Sequence, residues 1–453
     1  MIKMKKMAKI LLTLFTALLF LGGCSKQAQQ ALAEYDRKHS DQSTGDRVEI
    51  EFWYGLGSIA GQTMEEIIED FNNSQDQVRV IGVAQANYDE TYQKLQAAIA
   101  ADIAPAVVLS DDIVEQSESQ ILRPLNNFMD ESMATADFLP VFMDLAISDG
   151  QVYGFPAFGT TQVMYYRKDI LDQAGIDPDD MYASWENVMA YSKQLQDDGY
   201  VENGHQLMWG TDNLIDLAYS SGGQIISDDG TQVLIDQAPW VDSWNFIREN
   251  IHDGTSPIES GGQGWEYWYR TIDNVMTGKS IGYTGSSGDK ADLDFDIIGS
   301  AEQPGYNGHE PRPMSEGLYL AIPAQSSDQE AKAAFEWIKY FTSPQVQADW
   351  TKAVGYVPVR IDDTMNKVPG FSEFLAENPA YKTPMDQSTH ASYSFTDPTG
   401  GKIYQALSDA RDKVELQNIP AEEALAEAQE TAQKALDTVN ERGKLIIILK
   451  KAK

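Results

Sequence analysis

Cysteine, histidine and basic residues are scarce in this chain of 453 residues. Its only cysteine is Cys24, so no intramolecular disulfide can form and the core must be stabilised by burial of apolar surface. The five histidines are scattered, and no two of them stand at the spacing of metal ligands. Lysine and arginine number 34 against 69 acidic residues, which gives a formal net charge of −35. This balance excludes nucleic acid as a partner, because neutralising its phosphates requires clustered basic side chains.

Long apolar runs are also scarce, and the longest, ILLTLFTALLFLGG, follows four lysines at the N-terminus. It is shorter than the ~20 apolar residues of a membrane-spanning helix, and a basic patch before a short apolar core is typical of a secretory signal. Leu21-Gly22-Gly23-Cys24 resembles the lipobox of bacterial lipoproteins. The resemblance implies removal of residues 1–23, acylation of Cys24 and attachment to the outer face of the cell membrane. The polar residues 24–46 would form a flexible tether.

Strand and helix patterns alternate directly after the tether. Apolar and polar residues alternate in VEIEFWYG (48–55), and apolar residues then recur at helical spacing between 64 and 71. VRVIGV (78–83), the helical pattern of 87–101 and the apolar PAVVLS (105–110) follow. The order predicts a βαβαβ unit with a parallel sheet, and therefore an α/β fold.

The predicted topology locates a binding region, because ligands of open parallel sheets bind outside the carboxyl ends of the strands. The loops there contain Tyr54, Ser58, Tyr88 and the segment Ser110–Asp112. Aromatic faces, hydroxyls and carboxylates suit a sugar or polyol, since rings pack on C–H faces and acids accept hydroxyl protons. For Tyr88 a second interpretation stays open, in which it only begins a helix and packs on the core.

Further along the chain, three local patterns carry predictions. Ser184 stands where an N-cap is expected before the helical pattern WENVMAYSKQLQ. DLDFD (292–296) lacks the glycine of a calcium loop, and its alternation with apolar residues predicts a half-buried strand. Trp53, Trp265 and Trp268 are either platforms for a sugar ring or members of the core.

Six segments in one order resemble the family 1 extracellular solute-binding proteins, which are the receptors of bacterial carbohydrate ABC importers. They are FWYG…AGQTMEEIIEDFNNS, ANYDETYQKLQAAIAADIAPAVV, MYYRKDILDQAGIDP, EGLYLAIPA, GYVPV and IPAEEALAEAQ. The resemblance implies a two-lobed, periplasmic-binding-protein-like (type II) fold, a small-molecule ligand and an ABC permease as partner. It implies a monomer without cofactor or metal.

Within the family the closest resemblance is to members that bind sn-glycerol-3-phosphate, and their contacts can be transferred motif by motif. The positions that match are Tyr88, Asp112, Thr160, Ser286 or Ser287, Ser315 and Tyr356. The family's phosphate-binding arginine has no counterpart here, because no arginine lies between Arg360 and Arg411. Either Arg312 or Arg360 replaces it, or the ligand is a neutral sugar, oligosaccharide or polyol rather than glycerol-3-phosphate or a glycerophosphodiester.

The resemblance also implies a division into lobes. We expect an N-lobe of residues 47–160 and 284–341, a C-lobe of 161–283 and 342–445, and a basic tail of 446–453. Crossings are expected near Phe158–Gly159, Tyr283–Gly285 and Thr342–Pro344, where a ligand would close the lobes like a hinge. The alternatives are a secreted carbohydrate-active enzyme and a surface adhesin. The nearest approach to an enzyme motif, TGSSGD, has Asp289 where a nucleophile elbow needs its last glycine.

Overall fold

The computed structural model describes residues 47–262 and 266–451. Cys24, the tether and Trp265 lie outside this range, so the predictions made for them are not addressed by it. The predicted βαβαβ unit is confirmed, and its elements are β1 (Val48–Tyr54), α1 (Ser58–Ser74), β2 (Val78–Ala84), α2 (Tyr88–Ala100) and β3 (Val107–Ser110). Strands β1 and β3 pair in parallel, as crossover helices require.

Eight further strands complete the described sheets. They are β4 (Ile147–Ser148), β5 (Gln151–Val152), β6 (Gly154–Arg167), β7 (Asn203–Leu207), β8 (Ser280–Ser286), β9 (Ile298–Ala301), β10 (Met314–Ala321) and β11 (Ser392–Tyr393). The main sheet has the order β2-β1-β3-β10-β6-β8-β7, with β11 beside β10 and β9 beside β6. Strands β4 and β5 form a separate antiparallel pair.

Strand β6 connects the two halves of the main sheet. Its residues 154–161 pair with β10, whereas its residues 162–167 pair with β8 and β9. The exchange of partners falls between Thr161 and Gln162, close to the predicted first crossing. The lobe boundaries themselves stay a prediction. Strand β9 lies in the range assigned to the N-lobe, yet its partner is the second half of β6.

Fifteen more helices are described. They are α3 (Ile113–Glu118), α4 (Pro140–Met143), α5 (Lys168–Ala174), α6 (Pro178–Met181), α7 (Trp185–Asp197), α8 (Thr211–Tyr219), α9 (Ala238–His252), α10 (Glu266–Met276), α11 (Asp328–Phe341), α12 (Pro344–Val354), α13 (Asp362–Met365), α14 (Phe371–Glu377), α15 (Pro379–Ser388), α16 (Lys402–Gln417) and α17 (Ala421–Lys451). The backbone of α17 continues through most of the predicted basic tail. Within the part of the chain that the structure describes, no helix has the length and apolar character to cross a membrane.

Local sequence signals explain several boundaries. The predicted N-cap Ser184 is confirmed, because its Oγ accepts from the backbone N–H of Asn187 at 3.2 Å. The predicted strand at 292–296 is wrong, since Asp292 ends a 3₁₀ helix, residues 295–297 form a turn and β9 begins only at Ile298. The carboxylate of Asp294 accepts from the N–H of Asp296 at 2.9 Å, and this local bond favours a turn over a strand.

Large aromatic side chains are buried on both sides of the exchange in β6. On one side Trp337 of α11 packs against Phe52 and Phe71, with ring centroids 5.6 and 5.4 Å away. On the other side Trp185, Trp240 and Trp244 are buried together with apolar residues of α16 and α17. The two halves of the main sheet, before and after the exchange in β6, therefore each pack against a separate apolar core.

Candidate functional site

Three hydroxyl groups meet where β6 changes partner. Thr160 Oγ1 lies 3.1 Å from Ser286 Oγ and 3.2 Å from Ser287 Oγ. The pairing of Gln162 with Ser286 places the end of β8 beside this part of β6. Ser286 also caps the short 3₁₀ helix Ser287–Asp292 by accepting from the N–H of Gly288 at 3.1 Å. The structure thus brings together three residues that the sequence nominated separately.

The neighbouring strand presents Glu316 to this cluster, not the nominated Ser315. Glu316 stands opposite Thr160 in the register of β6 and β10, and directly opposed residues project from the same face of a sheet. Ser315 pairs with Thr161 on the other face, where it is buried and its Oγ lies 3.0 Å from Ser388 Oγ. Because side chains alternate along a strand, a shift of one residue reverses the face.

Tyr88 and Tyr356 lie near Glu316 and Asp111. Burial, followed by the electrostatic influence of Tyr356, Asp111 and Glu316, raises the pKa of Tyr88 well above its ordinary value. Tyr88 is the first residue of α2, whose N-cap Asn87 accepts from Glu90 N at 2.8 Å. The ring of Tyr356 stacks on Phe158 at 4.7 Å, and burial raises its pKa to about 12.

Asp112 has a structural role that was not predicted from the sequence. It is the N-cap of α3, and its Oδ1 accepts from the N–H of Glu115 at 3.2 Å. The preceding Asp111 is exposed at the end of β3 and is the carboxylate whose charge acts on Tyr88 and Glu316. The nominated loop is therefore at the site, and Asp111 rather than Asp112 is the carboxylate that acts on Tyr88.

Trp53 and Tyr54 each contact a nearby residue of their own strand, β1. The indole N–H of Trp53 donates to Glu51 at 3.0 Å. Tyr54 is 1% exposed and packs on Phe52 with a centroid distance of 5.1 Å. Burial, with a smaller effect from Glu65, raises the pKa of Tyr54 to about 12. The structure places Tyr54 in the core, because side chains at alternate positions of β1 face inwards.

Trp268 begins a buried polar chain beside the hydroxyl cluster. Its indole N–H donates to Asp289 Oδ1 at 2.9 Å, and the hydroxyl of Tyr283 donates to Asp289 Oδ2 at 3.0 Å. Burial raises the pKa of Asp289 to about 7, while the two hydrogen bonds oppose this shift. Ser286 and Ser287 lie three and two residues before Asp289, so this chain holds their loop in place.

Two acids of α8 complete the site and were missed by the sequence reasoning. Asp216 accepts from Met314 N at 2.8 Å and from Gln303 Nε2 at 2.7 Å, and Asp212 accepts from the hydroxyl of Tyr404 at 3.0 Å. Helix α8 follows β7, which is parallel to β8. The rule that located the loops after β1, β2 and β3 would have found this loop as well.

The acids influence one another strongly. Burial, followed by the charges of Asp212, Asp216 and Asp111, raises the pKa of Glu316 to about 8. Burial raises the pKa of Asp216 to about 8 although its two hydrogen bonds oppose the shift. Burial also raises the pKa of Asp212, against the effects of Tyr404 and Arg411.

The two nominated arginines have other surroundings. Arg360 is 4% exposed, donates to Thr342 O at 2.7 Å and lies 3.9 Å above the ring of Phe138. Burial lowers the pKa of Arg360 to about 10. Arg312 is exposed, and its backbone N–H donates to Ser220 Oγ at 3.0 Å. The arginine that acts on the acids of α8 is instead Arg411, whose guanidinium lies 4.5 Å above the ring of Trp209.

Comparisons with known proteins identify a family. The model of the bacterial extracellular solute-binding protein family matches residues 66–383. The sn-glycerol-3-phosphate-binding periplasmic protein UgpB of Rhizobium meliloti (strain 1021) is 25% identical over 423 residues, which cover 88% of this chain and 94% of the relative.

Solved structures show the same fold. The GacH receptor of Streptomyces glaucescens GLA.O superposes with a TM-score of 0.75 at 20% identity, covering 86% of this chain and 99% of the receptor. UgpB from Mycobacterium tuberculosis, solved in complex with glycerophosphocholine, superposes with a TM-score of 0.72 at 23% identity, covering 86% and 98%. The predicted two-lobed α/β fold is thereby confirmed.

Proposed function

Because the chain belongs to the bacterial extracellular solute-binding protein family, we propose that it captures a sugar, oligosaccharide or polyol between two lobes and delivers it to an ABC import permease. The observation that carries the proposal is the convergence of hydroxyls, tyrosines and carboxylates at the exchange of partners in β6. Hydroxyl and carboxylate oxygens bind the hydroxyls of such a ligand, and tyrosine rings pack on its C–H faces.

The ligand contacts that we propose come from both sides of β6. Tyr88, Thr160, Ser286, Ser287 and Tyr356 keep the roles predicted from the sequence. Glu316 takes the place of Ser315, and Asp111 takes that of Asp112. The loop after β7 adds Trp209, whose ring meets Tyr267 at 5.0 Å. Trp268, in the first turn of α10, stays a predicted platform, and so does Trp265, which lies outside the described residues.

A neutral ligand fits these surroundings better than a phosphorylated one. The relatives' names raise glycerol-3-phosphate and glycerophosphocholine as alternatives. A phosphate requires charge-assisted donors, and Arg360 uses its guanidinium for Thr342 and Phe138. Asp212, Asp216 and Glu316 supply no positive charge to balance a phosphate, whether their carboxyl groups are protonated or ionised.

Ligand capture would involve closure of the lobes. We place one crossing between Thr161 and Gln162 and another in the loop between β9 and β10, where the chain leaves the second half of β6. A ligand that contacts both lobes binds the closed form better and shifts the population towards it. Small-angle scattering checks this, and an unchanged radius of gyration with a bound ligand would contradict it.

The mature chain is proposed to be a monomeric lipoprotein held at the outer face of the cell membrane by acylated Cys24. The support is the lipobox resemblance of residues 21–24. Two acyl chains on one cysteine suffice for stable anchoring, whereas one chain binds only marginally. Mass spectrometry of the mature N-terminus tests this, and Cys24→Ala should release the protein from the membrane fraction.

Binding without catalysis is the role that we propose, since the relatives are binding proteins. Calorimetric titration of the full chain with neutral oligosaccharides, polyols, glycerol-3-phosphate and a glycerophosphodiester tests the function. Thr160→Val should lower the affinity for the tightest-binding compound about tenfold, because it removes a hydroxyl of the cluster. Thr438→Val on the exposed face of α17 is the matched control. No binding by any compound would refute the proposal, and turnover of a bound glycoside would revive the enzyme alternative.

A further inference from the structure

A small cavity lies in the candidate site, between β6, β10 and α8. Its volume is about 20 Å³, which is room for one group of the size of a water molecule. The lining residues are Thr160, Thr161, Gln162, Asp212, Asp216, Met314 and Glu316.

The polar atoms that face this cavity are mainly hydrogen-bond acceptors. Asp212, Asp216 and Glu316 contribute carboxyl groups. Gln162 also lines the cavity, and its buried Oε1 has no hydrogen-bond partner in the described part of the chain. The hydroxyl of Thr161 is already used, because it donates to the carbonyl of Met314 at 2.7 Å. A group that donates several hydrogen bonds and accepts none would complement this lining.

The carboxyl groups also lack a direct counter-charge. Between residues 47 and 451, leaving out 263–265, none of Asp212, Asp216 and Glu316 forms an ion pair with a lysine or arginine. Arg411 acts on Asp212 only from a longer range, because its nearer partners are Asp412 and the ring of Trp209. Burial raises the pKa of Asp216 and Glu316 and so favours their protonated forms while no cation is present. A cation that enters the cavity can replace these protons and is stabilised there by the resulting carboxylates.

On the function proposed above, we propose that the captured ligand carries a primary ammonium group, which binds in this cavity, and is therefore an amino sugar or an amino-bearing polyol. An ammonium group has three donors and no acceptor, and it is close to water in size. A quaternary ammonium is too large for the cavity and has no N–H to donate. In the described chain no set of three histidine, cysteine or acidic side chains has the geometry of a metal site, which favours an organic cation.

The test compares ligands that differ only at the amine. The full chain is titrated calorimetrically at pH 6 with the β-1,4-linked disaccharide of glucosamine, with cellobiose and with sn-glycerol-3-phosphate. The amino disaccharide should bind at least about tenfold more tightly than cellobiose, as expected for charge-assisted contacts to a buried site. Titration in two buffers of different ionisation enthalpy should show proton release, because a cation beside raised carboxyls lowers their pKa.

Two variants locate the effect. Glu316→Gln and, separately, Asp212→Asn should remove most of the preference for the amine, measured as the ratio of the affinities for the amino disaccharide and for cellobiose. A cooperative urea unfolding transition followed by tryptophan fluorescence shows that each variant is folded. Glu310→Gln, in the exposed loop before β10, is the matched control and should keep the preference.

The outcomes separate this inference from the function on which it rests. Equal or tighter binding of cellobiose, or tighter binding of glycerol-3-phosphate with proton uptake, overturns the ammonium proposal and leaves ligand capture intact. A preference for the amine that survives both variants overturns the assignment of the cavity. If neither these compounds nor the neutral panel bind, both proposals are wrong.

Discussion

Replacing Asp216 with asparagine should stabilise the protein in neutral and alkaline solution. Asp216 is 1% exposed, and burial raises its pKa from an ordinary 3.8 to about 8. The folded protein therefore retains a proton that the unfolded chain has lost. The stabilising effect of that proton is fully present below pH 3.8, and it is lost as the pH rises through about 8.

The magnitude follows from the size of the shift. Four pKa units correspond to about 5 kcal/mol, with a slope of about 1.4 kcal/mol per pH unit between pH 4 and 8. Asp216→Asn cannot ionise and removes this slope. Its Oδ1 can still accept from Met314 N, but its Nδ2 faces Gln303 Nε2, which costs about 1 kcal/mol when the Gln303 amide rotates. We expect a net gain of about 4 kcal/mol at pH 8.

Urea unfolding followed by tryptophan fluorescence at pH 5, 6.5 and 8 measures the difference. Asp363→Asn, at an exposed position of α13, is the matched control and should change stability equally at the three pH values. The reasoning is refuted if Asp216→Asn is no more stable than the parent at pH 8, or if its advantage is the same at pH 5.

Three further predictions concern the rest of the molecule. Burial lowers the pKa of His205 to about 3, whereas in the unfolded chain the histidine has its ordinary pKa of 6.5. Only the unfolded chain binds this proton between those values, so the free energy of unfolding should fall as the pH drops from 6.5 towards 3. A His205→Gln variant whose urea midpoint shows the same fall would contradict this. Trp337→Ala should lower the free energy of unfolding by about 3–5 kcal/mol, because the side chain is fully buried against Phe52. A loss below about 1 kcal/mol in urea unfolding would be inconsistent with that packing. Ser327→Ala should cost about 1 kcal/mol, because Ser327 and Glu330 form a capping box at the start of α11, and an unchanged thermal midpoint would speak against the cap.

The candidate site shows which of its residues could be predicted from the sequence and which could not. Thr160, Ser286 and Ser287 were nominated from separate motifs, and the structure brings their hydroxyls within 3.2 Å. Ser315 was nominated one position away from Glu316, because the match to the family was loose there. A shift of one residue matters in a strand, where neighbouring side chains point to opposite faces.

The loops after the first strands gave a similar result. The segment Ser110–Asp112 stands at the end of β3 as predicted, since the carboxyl ends of parallel strands lie at one edge of a sheet. The choice between its two aspartates depends on the start of α3, where Asp112 caps the helix. A capping bond is visible only once the backbone of the helix is placed.

By itself the sequence determined the α/β class, the βαβαβ unit and the loops at the carboxyl ends of its strands, because these depend on the local periodicity of apolar residues and on the direction of strands. The tertiary structure alone decided that Asp212, Asp216 and Glu316 meet at one cavity. These residues come from α8 and β10, about a hundred positions apart, and the local pattern of neither segment predicts that it lies close to the other. Their mutual influence arises from distance and burial, which only the assembled sheet and helices define.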